Sequence, residues 1–194
     1  MADTMKTANP APLGLAGFGL TTVVLSSINA GLLPGEAMSA VVPLAFSFGG
    51  FAQILAGRME FKNGNTFGTV AFTAYGAFWL WFALMQWTVG AGWQKPPDPR
   101  GVGVVLLMWG VFTFYMWIAT FRTNLTLWLI FLLLWITFGL LAGGDLGMGP
   151  GWRTMGGWCG LATGLAALYL SFADVVNATF DKRVICVGNP IVKS

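Results

Sequence analysis

Apolar residues in this chain fall in long runs without two-residue alternation, and the charged residues lie between those runs. Six neutral intervals separate consecutive charges: residues 7–35, 37–57, 63–94, 101–121, 123–144 and 154–173. Each holds the ~20 apolar residues that a helix needs to cross a ~30 Å hydrocarbon layer. A transmembrane barrel would instead show ~10-residue segments alternating apolar and polar. The stretch from Leu129 to Trp135 is apolar on every side, as a lipid-embedded helix is. Helices also satisfy their own backbone hydrogen bonds where no water is present. The pattern therefore predicts an all-α, polytopic membrane protein, with six transmembrane helices in a compact bundle. The predicted helices cover residues 12–33, 39–57, 66–90, 101–121, 124–143 and 154–177.

Local signals set the breaks. Pro12 suits a first helical turn, where a missing N–H costs no intrahelical bond. Leu33-Pro34-Gly35, Asn63-Gly64-Asn65-Thr66, Pro96-Pro97-Asp98-Pro99, Gly143-Gly144-Asp145 and Gly149-Pro150-Gly151 are turn or breaker sequences. The connections are short, which leaves no room for a soluble domain. The chain divides into a short segment 1–11, a transmembrane domain 12–177 and a tail 178–194. Met1 to Asn9 lacks the basic-then-apolar layout of a cleavable leader, so the first span is expected to be retained. Gly156, Gly160 and Gly164 share one face of the last span, a spacing that lets backbones approach within or between subunits. Gly49-Gly50 is a local weak point in span two.

Only 9% of residues are charged, against about 25% in soluble domains. Loop charges orient the chain. Lys6, Arg58, Lys62, Arg122, Lys182, Arg183 and Lys193 fall on one side, and Lys95, Arg100 and Arg153 on the other. The excess places both termini in the cytoplasm of a protein of the cell membrane. A net charge of +3 gives no nucleic-acid signature. Cys159 and Cys186 form neither a metal motif nor a disulfide framework.

With no histidine in the chain, a histidine-ligated metal and a Ser–His or Cys–His dyad are excluded. Glu36, Glu60 and Asp174 lie at span ends, where hydration or pairing is expected. Little is left for acid–base chemistry, so an enzyme and a cofactor are not expected. What remains inside the membrane is hydroxyls and amides: Thr21, Thr22 and Asn29 in span one, Gln53 in span two, Thr73 and Tyr75 in span three. Ser and Thr at such positions commonly bond their own helix. Their concentration predicts a polar path beside the first three spans, with the hydrocarbon-rich fifth span partly facing lipid or another subunit. Such a path suits a small, weakly charged solute, because hydroxyls, amides and helix N-termini can hold a carboxylate without a fixed cation.

The opening Asn9-Pro10-Ala11-Pro12-Leu13-Gly14-Leu15 resembles the signature of the acetate uptake transporter family, which includes the bacterial succinate–acetate permeases. The likeness continues through Gly17-Phe18-Gly19, Phe48-Gly49-Gly50-Phe51-Ala52-Gln53, Gly64-Asn65-Thr66-Phe67-Gly68, Tyr75-Gly76 and Trp109-Gly110-Val111-Phe112-Thr113. The resemblance implies a permease for acetate and, in some members, succinate, either proton-coupled or channel-like. A pore for neutral solutes such as undissociated acid, ammonia or water is the alternative. It further implies a homohexamer in membrane lipid, with one path per subunit. By its motifs, a hydrophobic constriction falls on Phe18, Tyr75 and Leu134, and a position that tunes substrate size falls on Ala167. Relatives tend to carry Leu-His-Asn where this chain has Ser27-Ile28-Asn29. Asn29 is thus a polar candidate near one end of the path, with Gln53, Thr21, Thr22 and Thr73 as further substrate-binding candidates.

Overall fold

The computed structural model describes residues 7–192. Lys6 and Lys193, used above to orient the chain, lie outside them. Among the described residues all regular structure is helical, and six helical segments are long and apolar enough to cross a membrane.

The first span is α1 (Ala11–Asn29). It stops before residue 33 because Gly31 adopts φ +78°, a left-handed conformation that closes the helix end. The second span is broken rather than continuous. A 3-10 turn, Gly35–Ala37, leads into α2 (Met38–Leu44), then a π-helical stretch Ala45–Ala52, then α3 (Gln53–Lys62). Pro43 inside α2 supplies no N–H, and the Ser47 hydroxyl donates to the Pro43 carbonyl at 2.8 Å. Glycines let the widened turns fit between neighbours. A Cβ on Gly49 would meet Trp79 at 2.8 Å, and one on Gly76 would meet the Gly50 carbonyl at 2.9 Å.

Spans three to six are α4 (Thr66–Gly90), α5 (Pro99–Ala119), α6 (Leu125–Asp145) and α7 (Pro150–Thr179). Three of their N-termini are capped by the residue types that favour that role. Asn65 accepts from the Gly68 N–H at 3.1 Å, Asp98 from Arg100 N–H at 2.9 Å, and Asn124 from Leu127 N–H at 2.8 Å. The last span begins at Pro150 rather than 154, since proline suits a first turn and Gly149 turns the chain there with φ +127°.

Lipid is as apolar as a leucine, so helices in it associate by close packing and polar contacts rather than by escape from water. Here α1 and α7 touch almost backbone to backbone. A Cβ on Gly164 would stand 3.0 Å from the Gly19 carbonyl, and one on Gly19 would stand 2.9 Å from the Gly164 carbonyl. Gly160 faces Ser26 of α1, and Gly156 faces Leu141 of α6. The glycine stripe therefore works inside the subunit. Ser171 of α7 also donates to the Pro12 carbonyl at 2.7 Å. On the other flank, aromatic rings join α4, α5 and α6: Phe78 lies 5.2 Å from Trp109 and 5.4 Å from Phe138. Such edge-on pairs contribute about 0.5–1.5 kcal/mol each. The least buried span is α5, whose Val104, Val111, Phe114 and Ile118 are exposed.

The tail folds back on the helix ends. Asn177 accepts from the N–H groups of Val184 and Ile185, and Thr126 donates to the Val187 carbonyl at 3.0 Å.

Candidate functional site

Two cavities enter the bundle from opposite ends. The inner cavity, of about 140 Å³, opens between Ala11, Asn65, Asn124 and Asp174 and deepens along α1, α3, α4, α6 and α7. Its deep end is formed by Phe18, Gln53, Tyr75 and Leu134. The outer cavity, of about 300 Å³, is lined by Asn29, Phe78, Gln86, Asp145 and Arg153 among others. Along α4 the lining passes from Tyr75 of one cavity to Phe78 of the other within a single turn, about 5 Å. A wall of side chains one turn thick divides them.

That wall brings together the three residues expected at a constriction. Phe18, Tyr75 and Leu134 are all buried. The Phe18 and Tyr75 rings lie 5.8 Å apart, and Tyr75 stands 6.0 Å from Phe131, the α6 neighbour of Leu134 on the cavity wall. Tyr75 is fixed from behind. Its hydroxyl donates to Thr113 of α5 at 2.9 Å, and Thr113 in turn donates to the Trp109 carbonyl at 2.7 Å. The phenol oxygen is thereby occupied, leaving the ring to line the cavity. The three side chains present uncharged ring and hydrocarbon surface at this end of the cavity.

The polar candidates divide. Gln53 lines the inner cavity, is buried, and its side-chain carbonyl Oε1 has no hydrogen-bond partner. The wide turns that precede it reset the helical phase, and so determine the direction from which Gln53 leaves its helix. Asn29 lines the outer cavity and is half-buried. Thr21 is buried beside Gly49 and donates to the Gly17 carbonyl of its own helix at 2.8 Å, lining neither cavity. Thr22 is buried outside both cavities, its hydroxyl oxygen without a partner. Thr73 is exposed and packs against Gly57 between α4 and α3. Ala167 is fully buried one turn from Leu170, which lines the inner cavity.

One sequence expectation is refined and one is corrected. The fifth span, α6, expected to face lipid or another subunit in part, also gives Leu127, Ile130, Phe131 and Leu134 to one wall of the inner cavity. The cavity is more apolar than the hydroxyl inventory suggested, so a helix poor in polar groups can line it. Glu60, expected at a hydrated span end, is 2% exposed and lines the same cavity. Asp174 lines it too, half-buried and unbonded among the described residues. Among the described residues no Lys or Arg lines the inner cavity, and in the outer one Arg153 is paired with Asp145. Among the described residues no cluster of His, Cys, Asp or Glu suited to a metal occurs.

A cavity of about 140 Å³ takes a solute of a few heavy atoms, whereas drug-sized ligands need about 300 Å³ or more. The fold and these cavities define a class: six-span helical membrane proteins with a small, largely apolar cavity entering the bundle from each end. Within that class, the chain belongs to the GPR1/FUN34/yaaH family, whose pattern matches residues 1–185. The succinate-acetate/proton symporter SatP of Escherichia coli K12 is 39% identical over 183 residues, 94% of this chain and 96% of its own length. Acetate permease A of Emericella nidulans is 37% identical over 202 residues, 96% of this chain and 68% of that protein. The solved structure of the bacterial acetate channel SatP matches with a TM-score of 0.91 at 39% identity, covering 94% of this chain and all of that one. By their names these relatives are a symporter, a permease and a channel, not enzymes.

Proposed function

We propose that the chain is a permease for acetate and other small carboxylates such as succinate. The solute passes from one cavity to the other through the Phe18–Tyr75–Leu134 constriction. The observation that carries this reading is the meeting of those three residues as the deep wall of a cavity a few heavy atoms in size. Names given to relatives that match almost the whole chain support it. Gln53 is the polar contact on the inner side of the wall and Asn29 the one on the outer side. Ala167, behind Leu170, sets how much room the solute has; Thr21 and Thr22 stiffen the seam around the path, and Thr73 the α3–α4 contact.

The subunit works in a homo-oligomer, a hexamer, in the lipid of the cell membrane. The exposed apolar face of α5 supports an intersubunit or lipid contact there. Segment 1–11 and tail 178–194 lie in the cytoplasm, which makes the cavity bearing Glu60 the cytoplasmic one. The described cations Arg58, Lys62, Arg122, Lys182 and Arg183 on that side support the orientation.

Uptake of labelled acetate into proteoliposomes tests the reading. Uptake above empty liposomes, competed by propionate or succinate, is expected, and Phe18→Ala is expected to admit larger acids. Flux equal to empty liposomes refutes it. The absence of any cation along the inner cavity among the described residues favours a second reading, passage of neutral solutes such as undissociated acid or ammonia. Electrical recording separates the two: a reversal potential that follows the acetate gradient indicates the anion, and flux without current indicates a neutral species.

A further inference from the structure

The inner cavity holds a carboxyl group that a path for anions has no evident reason to keep. Glu60 is 2% exposed, and its two oxygens have different surroundings. Oε2 accepts from Asn65 Nδ2 at 2.9 Å. Asn65 is not free to do otherwise, because its Oδ1 is committed to the Gly68 N–H as the cap of α4, leaving only the NH₂ to face Glu60. Oε1 is buried, has no partner, and belongs to a side chain that lines the cavity. Gly68 leaves the space for this carboxyl, since a Cβ there would press Glu60 Cδ at 2.8 Å.

Among the described residues, nothing lining the cavity balances a negative charge. From α7 the cavity receives Asp174, a second acid; from α4, α6 and α1 it receives the neutral Asn65, Asn124 and Ala11. On Glu60's own helix Arg58 and Lys62 are exposed. The ion pairs among the described residues are Asp98–Arg100 and Asp145–Arg153, neither of them here. A buried carboxylate facing another acid is costly unless it is neutralised. Ionised, it would also repel an incoming carboxylate.

We propose that Glu60 is the proton-binding residue of the transport cycle: it holds a proton on Oε1 while the inner cavity is occupied, and this O–H donates to the substrate carboxylate. This rests on the carboxylate-permease reading. The carboxyl then has a partner at each oxygen, Asn65 at Oε2 and the substrate at Oε1. Gln53, with its own unpartnered Oε1 about 10 Å deeper along α3, marks the far end of the same cavity. Binding one carboxylate binds one proton, which is taken from and returned to the water at that mouth. Flux is therefore linked to pH on the Glu60 side.

The test uses the whole protein in proteoliposomes, with pH gradient and voltage clamped independently. Native acetate uptake should depend on pH at the Glu60 side and, since the proton returns to that side and only the anion crosses, respond to voltage. In Glu60→Gln, which stays neutral, whatever flux remains should lose its dependence on Glu60-side pH while still responding to voltage. An unchanged pH profile in that variant overturns the proposal. Infrared difference spectra supply a readout independent of flux: adding acetate to native protein should shift a protonated-carboxyl C=O band that survives Asp174→Asn and vanishes in Glu60→Gln. If no such band is present in native protein at the pH where acetate is taken up, the proposal fails. Absence of acetate flux in the native protein would instead sink the permease reading beneath it.

Discussion

Thr113→Val reaches the constriction without touching the path, since Thr113 lines neither cavity. The exchange preserves side-chain shape and removes the oxygen that accepts the Tyr75 hydroxyl at 2.9 Å. Tyr75 and Thr113 are 3% and 0% exposed, so no water replaces that oxygen. In membrane bundles such interhelical bonds contribute about 0.6 kcal/mol on average and about 1.7 kcal/mol at most. Taking ~1 kcal/mol, and tenfold per ~1.4 kcal/mol, the Tyr75 ring leaves its place about fivefold more readily. Discrimination between acetate and a bulkier acid such as butyrate should relax by up to that factor. The assay is competition of labelled acetate uptake by butyrate in proteoliposomes, alongside thermal unfolding in detergent. Tyr75→Phe should produce a similar relaxation, and the double variant should be no worse than either single one. If Thr113→Val lowers stability but leaves selectivity untouched, or if the two changes simply add, the bond does not position the constriction.

Other consequences are equally open to measurement. Gly164→Ala drives a methyl toward Val23 Cγ2 and the Gly19 carbonyl, at 2.8 and 3.0 Å, and should cost about 1–3 kcal/mol of stability by overpacking. Gly139→Ala, with open space around its Cβ, should instead gain up to about 1 kcal/mol from helix propensity, as read by detergent melting. Asn65→Ala removes the cap of α4 and the donor to Glu60 and should lower stability by about 1–2 kcal/mol. The Gly188 N–H, followed by the Arg183 guanidinium, holds the exposed Cys186 thiol below the ordinary thiol range. Its labelling by an impermeant maleimide should accordingly set in at lower pH than that of a free thiol. That label should reach Cys186 in inside-out vesicles but not in intact cells, and the reverse result would invert the orientation proposed here.

Much of the fold is legible in the charge spacing. Charges are excluded from lipid, so one neutral interval falls on each of the six spans. The break in span two is less legible: Pro43 and Gly49-Gly50 signal a weak point, but the wide turns arise from neighbours that fit against those glycines. Side-chain direction is the other gap. Thr21 looks like a candidate lining by composition, yet it turns its hydroxyl onto its own helix. Glu60 was misread because its position near Lys62 suggests water. What buries it is the turn at Asn63–Asn65 folding the start of α4 back over it, a tertiary effect with no linear pattern. An asparagine capping a helix five residues after a span-end glutamate is the one signal that could have pointed to it.

The seam between the first and last spans also bears on synthesis. Ser171 and Pro12, hydrogen-bonded in the finished protein, are 159 residues apart along the chain. At about 5–20 residues per second a ribosome needs roughly ten to thirty seconds to cover that distance. For that interval the newly inserted leading helix carries a bare glycine groove shaped for a partner still untranslated. Whatever guards the groove in the nascent bundle, lipid or insertion machinery, must give way when the closing helix arrives.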